Sequence, residues 1–170
     1  MTDWLATMQQ TYEYYIVDPG TWKDVKRLDN VVKSSINRDS SKETLGSATI
    51  DITGTMEECY IRIYLITIQN GIREKYPLGT FLVQTPSYKF DGKVQTASLD
   101  AYTPLLELKE SPPPLGYSLL EGDNIMERAY IIIRDKARAP VIRCTKDDTL
   151  NSDFVANVDD TWITFLTDLI

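Results

Sequence analysis

The stretch from Tyr60 to Leu99 constrains the fold most, because it reads as two long β-hairpins placed back to back. Tyr60-Ile61-Arg62-Ile63-Tyr64-Leu65-Ile66-Thr67-Ile68 is rich in β-branched and aromatic residues and holds neither Gly nor Pro. Gln69-Asn70-Gly71 supplies a turn, and Tyr76-Pro77-Leu78-Gly79 is expected to form a second break. Thr80–Phe90 is strand-like again. Asp91-Gly92 then precedes a further strand from Lys93 or Val94 to Leu99. An Asp-Gly pair between extended segments predicts a hairpin, since a primed turn needs positive φ at its centre. No reactive constellation lies in this stretch, which tilts the reading towards structure over chemistry.

The bulk numbers narrow the function classes. At 170 residues the chain is about one domain or slightly more, and 42% hydrophobic with 25% charged residues is enough for a real core. A net charge of −7 would be repelled by phosphates, so nucleic-acid binding through a basic patch is not expected. The two cysteines, Cys59 and Cys144, lie far apart without CxxC spacing. Two buried free thiols are expected, with a single disulfide as the alternative. The absence of histidine removes the commonest general base, the usual protease dyads and most zinc sites. No run of about 18 apolar residues is present, and the N-terminus lacks a basic region followed by an apolar one. A membrane-spanning segment and an ordinary secretion signal are therefore not expected.

Taken in order, Thr2-Asp3 is expected to cap a short helical turn bearing Trp4, Leu5 and Met8. Tyr12–Val17 reads as a strand ended by Asp18-Pro19-Gly20, and Trp22–Asn30 as a turn of helix or a bent loop. Val31–Ile36 is extended, and the polar run Asn37–Gly46 is a loop. Ser47–Thr53 alternates: Ala48, Ile50 and Ile52 point one way, and Thr49, Asp51 and Thr53 the other. Such a strand belongs to an antiparallel sheet wetted on one side. Thr103-Pro104 is expected to open a short helix with Leu105, Leu106 and Leu108, and Pro112-Pro113-Pro114 to form a stiff connector. Asp123 is expected to cap a helix running to about Arg138, with Ile125, Ala129, Ile132, Ile133 and Ala137 at helical spacing. Val141–Cys144 reads as a short strand and Asp147–Asn157 as a loop. Asp160 should cap a final helix with Trp162, Phe165, Leu166 and Leu169 on one face. The chain ends on Leu169-Ile170 without a C-cap or polar tail. That predicts either a partner packed on this helix or, as the preferred expectation, the front portion of a longer product.

The carboxylate pairs Glu57-Glu58, Asp147-Asp148 and Asp159-Asp160 are the only abundant reactive groups. Facing carboxylates could hydrolyse glycosides, but neighbours on a loop point apart, so solvated loops and helix caps are expected. Asp147, Asp148 and Asp153 lack the ligand spacing of a calcium loop, and no phosphate-binding glycine loop exists. No catalytic, cofactor-binding or metal-binding residue is assigned, and no enzyme activity is expected. Tyr12, Tyr14, Tyr15, Tyr60 and Tyr64 lie in strands. They predict cross-strand packing or subunit contacts, with a carbohydrate- or receptor-binding β-module of a tail as the alternative.

The combined pattern resembles the N-terminal region of phage tail hub proteins, the baseplate hub of contractile tails and the tail-tip hub of non-contractile ones. The residues that carry the resemblance are the Tyr12–Val17 strand, Leu45-Gly46-Ser47-Ala48-Thr49-Ile50-Asp51-Ile52, Lys75-Tyr76-Pro77-Leu78-Gly79-Thr80-Phe81-Leu82-Val83, the Asp91-Gly92 hairpin, and Thr96-Ala97-Ser98-Leu99-Asp100-Ala101-Tyr102. Asp159–Leu166 resembles the helix that opens the next part of such hubs.

This resemblance implies an α+β, mainly β fold: an antiparallel tail-tube-like β-barrel or sandwich with long hairpins, one packed helix and a short C-terminal helix. It divides the chain into a β domain at 1–110, a Pro-rich connector at 111–118, and a helix-strand-helix segment at 119–170 that starts a second domain. It implies a virion protein of the tail baseplate or tail tip, made in the host cytoplasm. It implies self-association in a ring, trimeric or hexamer-like, that continues the tail tube. A tail tube or distal tail protein would lie above and a spike or tail-tip protein below. DNA would pass through without specific binding, helped by acidic lumen groups such as Asp51, Glu57 or Glu58.

Overall fold

The computed structural model describes residues 2–84 and 86–170. It contains β1 (Gln9–Val17), β2 (Asp24–Leu28), β3 (Val31–Arg38), β4 (Gly46–Thr53), β5 (Tyr60–Gln69), β6 (Ile72–Val83), β7 (Ser87–Phe90), β8 (Gln95–Tyr102), α1 (Leu106–Lys109), β9 (Ser118–Leu119), α2 (Ile125–Lys136), β10 (Phe154–Val155) and α3 (Trp162–Leu169). Two compact units result. One comprises the residues up to Arg38 with Gly46–Thr103, and the other Asp39–Leu45 with Pro104–Ile170.

The first unit is one antiparallel sheet in the order β2-β1-β5-β6-β8-β4-β3, with β7 also paired to β8. The alternation read in β4 is present: Ala48, Ile50 and Ile52 are buried, and Thr49 and Thr53 are exposed. Ala97, Leu99 and Ala101 of β8 join them, with Ile61 and Ile63 of β5 and Phe81 and Val83 of β6. Burying each of these larger aliphatic or aromatic side chains stabilises the fold by about 1.5–3 kcal/mol. Leu28 of β2 and the partly buried Val31 and Ile36 of β3 pack on this same cluster. The two ends of the strand order thus meet one core, so the sheet wraps around it. A hydrogen bond of 2.7 Å between the Tyr14 and Ser34 hydroxyls ties β1 to β3.

Asn70 and Gly71 both have positive φ between the paired residues Gln69 and Ile72, which is the two-residue primed turn expected of Asn-Gly. The second hairpin differs. Phe90 pairs with Gln95, so its loop has four residues, and of these Gly92 alone has positive φ. The Asp91 carboxylate organises this loop by accepting from the Lys93 and Val94 amides at 2.9 and 2.8 Å.

The break expected at Tyr76–Gly79 is a β-bulge inside one strand. Ile63 faces Gly79 while Tyr64 faces Pro77, leaving Leu78 as the extra residue. Pro77 is tolerated because β6 pairs with β8 only at Leu82 and Val83. The strand expected over Thr80–Phe90 is split between β6 and β7, and Thr85 within it lies outside the described residues.

Trp22–Asn30, expected as a helical turn or loop, contains β2, whose Leu28 is drawn into the core. Residues 2–8 form a turn and no helix. The Thr2 hydroxyl meets that of Thr67 at 2.8 Å, the Asp3 amide donates to Gln69, and Trp4 packs on Tyr76 with ring centroids 5.3 Å apart. The segment therefore lines the far part of the β5–β6 hairpin. The Thr2 and Tyr76 hydroxyls hold the Glu74 carboxyl down at about 2.

The second unit packs α1, α2 and α3 with the β9–β10 pair around Phe165, Leu108, Leu119, Ala129, Ile132 and Trp162. Tyr117, Phe154 and Trp162 surround the Phe165 ring at centroid distances of 5.5, 5.0 and 5.9 Å. Leu105 and Leu108 belong to this core, so the division falls before α1 and not after residue 110. Lys109 pairs with Glu43 at 3.0 Å, which places the loop of residues 39–45 here as well.

The caps of α2 and α3 lie one residue beyond those expected, and that of α1 two. Asn124 caps α2 by accepting from the Glu127 amide at 2.9 Å, and Thr161 caps α3 in a capping box with Thr164. Leu105, not Thr103, is the cap of α1. Asp123 instead accepts from the Leu120 amide and pairs with Arg128, and Asp160 accepts from the Asn157 amide. Val141–Cys144 is no strand. A strand needs a ladder, and among the described residues this exposed segment has none; Arg143 instead reaches Glu127.

Candidate interaction surface

The face of β1 and β5 turned away from the core carries the densest polar network of the β unit. Because side chains alternate, Tyr14, Ile16, Ile61 and Ile63 face the core and Glu13, Tyr15, Arg62 and Tyr64 face outward. The register sets Tyr15 opposite Arg62 and Glu13 opposite Tyr64. β6 adds Arg73 and Lys75, and β2 adds Asp24 and Arg27.

Arg62 is the hub of this network. Its guanidinium donates to Thr80 at 2.9 Å, to Asp24 at 2.9 Å and to the Trp22 carbonyl at 3.1 Å. The second Asp24 oxygen accepts from the Tyr64 hydroxyl at 2.7 Å. Burial and this bond to Asp24 push the Tyr64 phenol above its ordinary value, so it remains a donor. The Lys75 ammonium lies 4.1 Å from the Tyr15 ring centre and 3.8 Å from that of Tyr64, whose planes stand at 88°. This is a cation held between two aromatic rings.

Glu13 is held by Arg73 at 2.8 Å and Arg27 at 3.0 Å. Its side chain is 8% exposed, whereas those two arginines are 50% and 52% exposed. Around Glu13 the negative charge therefore lies beneath and the two positive ones ride on top, whereas Arg62 is the more covered partner of Asp24. Four cations, Arg27, Arg62, Arg73 and Lys75, stand against three carboxylates, Glu13, Asp24 and the exposed Asp29 that pairs with Arg27 at 2.9 Å, so the face carries a small positive excess among its tyrosines.

Burial pushes the Glu13 carboxyl up, but the Arg73 hydrogen bond and the charges of Arg73 and Arg27 outweigh it, and the net shift is downward. A carboxyl depressed in the folded state adds stability above its unfolded pKa of about 4.3 and loses it as pH falls through the folded value. The urea midpoint is thus expected to drop between about pH 5 and about pH 3, with a shallower drop in Glu13→Gln. Equal slopes for the two proteins would contradict this.

The other residues singled out in the sequence take structural places. Glu57 and Glu58 are exposed on the loop before β5, and Asp147, Asp148 and Asp159 are exposed in the second unit. Asp51 is half-buried and accepts from the Ser98 hydroxyl at 2.7 Å. Cys59 is a half-buried free thiol, pushed up to about 11 by burial and then by Glu58. Cys144 is free too, but it is exposed, which corrects the expectation of two buried thiols.

Of the five strand tyrosines singled out in the sequence, Tyr12 alone is strongly exposed. Tyr60 packs on Trp22 at 4.9 Å, and Tyr14, Tyr15 and Tyr64 are engaged as above, so these five form no open aromatic platform. Sequence reasoning missed Asp24, Arg27, Arg62, Arg73 and Lys75. The signal for Arg62 was its alternation with Tyr64 in a strand, and Asp24 and Arg27 would have joined it had β2 been recognised.

The chain matches no protein-family model and no curated protein sequence. Solved structures do resemble it. The 43 kDa tail protein of prophage MuSo2 from Shewanella oneidensis has a TM-score of 0.59 at 13% identity, over 94% of this chain and 49% of that one. The tail protein from Neisseria meningitidis MC58 has a TM-score of 0.56 at 12% identity, over 93% of this chain and 44% of that one. A chain of the Francisella PdpA–VgrG complex has a TM-score of 0.57 at 10% identity, over 95% of this chain and 25% of that one. The chain spans about half the length of the two tail proteins and a quarter of the third. At such identities the likeness is one of fold: the chain has the mainly β fold of solved phage tail proteins.

Proposed function

We propose that the chain is a structural, non-enzymatic component of a phage tail, and within it the hub of a baseplate or tail tip. It forms a ring that continues the tail tube and joins it to the spike or fibre complex. The observation that carries this reading is the likeness to phage tail proteins over more than nine-tenths of the chain. The wrapped sheet supports it, since its end strands β2 and β3 each pair on one side only among the described residues and leave edges for a neighbouring subunit. The partners are then further copies in a trimeric or hexamer-like ring, a tail tube or distal tail protein above, and a spike or tail-tip protein below. DNA passes through unbound. No helix among the described residues is long and apolar enough to cross a membrane.

Light scattering on the purified chain tests the reading, with a negative-stain image of the same sample. A mass several times that of one chain, with annular particles, is the expected result. A strict monomer at the highest attainable concentration would overturn it.

A further inference from the structure

Charge is divided unevenly between the two units. The helical unit holds fourteen Asp and Glu against eight Lys and Arg, and the β unit eleven against ten. Much of the helical unit's excess lies in residues 147–160, which hold five aspartates and no cation, although Lys146 just before them pairs with Asp148 at 2.6 Å. Asp147, Asp148, Asp153 and Asp159 are exposed there. The outward face of β2-β1-β5-β6 carries more cations than anions: Arg27 and Arg73 are half-exposed over a buried Glu13, beside the clamped Lys75, with the exposed Asp29 pairing with Arg27 at 2.9 Å.

We propose that this basic, tyrosine-rich sheet face is a docking surface for the acidic loop of residues 147–160 of a second copy of this chain. Three observations carry it. The signs are complementary, and interface charge of this kind orients partners and speeds encounter. Arginine and tyrosine are the residue types that interfaces enrich. The side chains are already held, by the Arg62 hydrogen bonds to Asp24, Thr80 and Trp22 and by the two rings around Lys75, so docking orders little. The two surfaces lie on different units, so the contact is head-to-tail, the type that closes into a ring when its rotation allows. The inference rests on the ring-forming reading above and names the contact within it.

The test is the self-association of the full chain, measured by light scattering across a dilution series. Asp148→Lys/Asp159→Lys replaces exposed loop carboxylates that hold no backbone amide, and is expected to weaken association at least about tenfold. Arg73→Gln should weaken it as well, and Arg73→Lys should retain most of it. Raising salt from about 0.05 M to about 0.5 M should weaken the native contact and have less effect on the double aspartate variant.

If Arg73→Gln melts early for want of a partner for Glu13, the aspartate variant and the salt series decide alone. Assembly of Asp148→Lys/Asp159→Lys as tight as native, or native assembly indifferent to salt, overturns the contact and leaves the ring standing. A chain that stays monomeric under every condition overturns both.

Discussion

Phe165→Ala is expected to destabilise the helical unit by about 3–5 kcal/mol, the range for removing a fully buried aromatic side chain. Phe165 has no exposed surface, and three aromatic rings surround it, from the β9 and β10 segments and from its own helix. Truncation removes the transfer free energy of the ring and leaves a cavity that rigid neighbours cannot fill. Urea unfolding followed by tryptophan fluorescence measures it, because Trp162 packs on Phe165 and reports this unit. An early transition in Trp162 emission is the expected trace. Phe165→Leu keeps most of the volume and should cost less than half as much. A loss below about 1 kcal/mol for the alanine variant would contradict the packing described.

Arg62→Ala is expected to cost about 3 kcal/mol, near the lower end of what breaking a buried ion pair costs. The side chain is 16% exposed, so solvent compensates little. Its loss leaves Asp24 with the Tyr64 hydroxyl and a Lys75 ammonium 3.9 Å away, and deprives the Trp22 carbonyl and the Thr80 hydroxyl of a donor. Arg62→Lys should recover less than half of the loss, since one ammonium cannot span three acceptors set out for a planar fork. Arg62→Met combined with Asp24→Asn should cost less than the two single changes added together, because the second change removes the stranded charge. Chemical denaturation of all five variants checks the set, and strict additivity would show that Asp24 and Arg62 do not depend on each other.

The sequence made the core strands legible because burial there follows simple alternation. Ala48, Ile50 and Ile52 need only the period of two to be placed. The primed turn at Asn70-Gly71 was legible for the same local reason. β2 was not, since Asp24-Val25-Lys26-Arg27-Leu28 shows no apolar face of its own and becomes a strand by pairing with β1. The outward network was hidden because each of its members is unremarkable in sequence. Glu13, Arg62 and Lys75 are ordinary surface residues until strand register sets them side by side. The caps of α2 and α3 slipped by one residue because Asp123 and Asn124, and Asp160 and Thr161, are all competent caps, and the loops before the helices decide between them.

The extra residue at Leu78 has a wider consequence. In an unbroken strand, residues an odd number of positions apart point to opposite sides, yet Thr80 and Lys75 both serve the Arg62–Tyr64 side of the sheet. The bulge resets the phase of β6, so that the half holding Arg73 and Lys75 and the half holding Thr80 keep a common outward side, while Phe81 and Val83 stay inward. Deleting Leu78 would leave Ile63 opposite Gly79 and Tyr64 opposite Pro77, so both halves would keep their sides. Ironing the bulge out with every residue kept would instead put Leu78 into the ladder and invert the projecting half of the hairpin as a block, turning Arg73 and Lys75 inward and Glu74 and Tyr76 outward. The charge this face displays thus depends on the bulge absorbing one residue, and not only on the identity of any one charged residue.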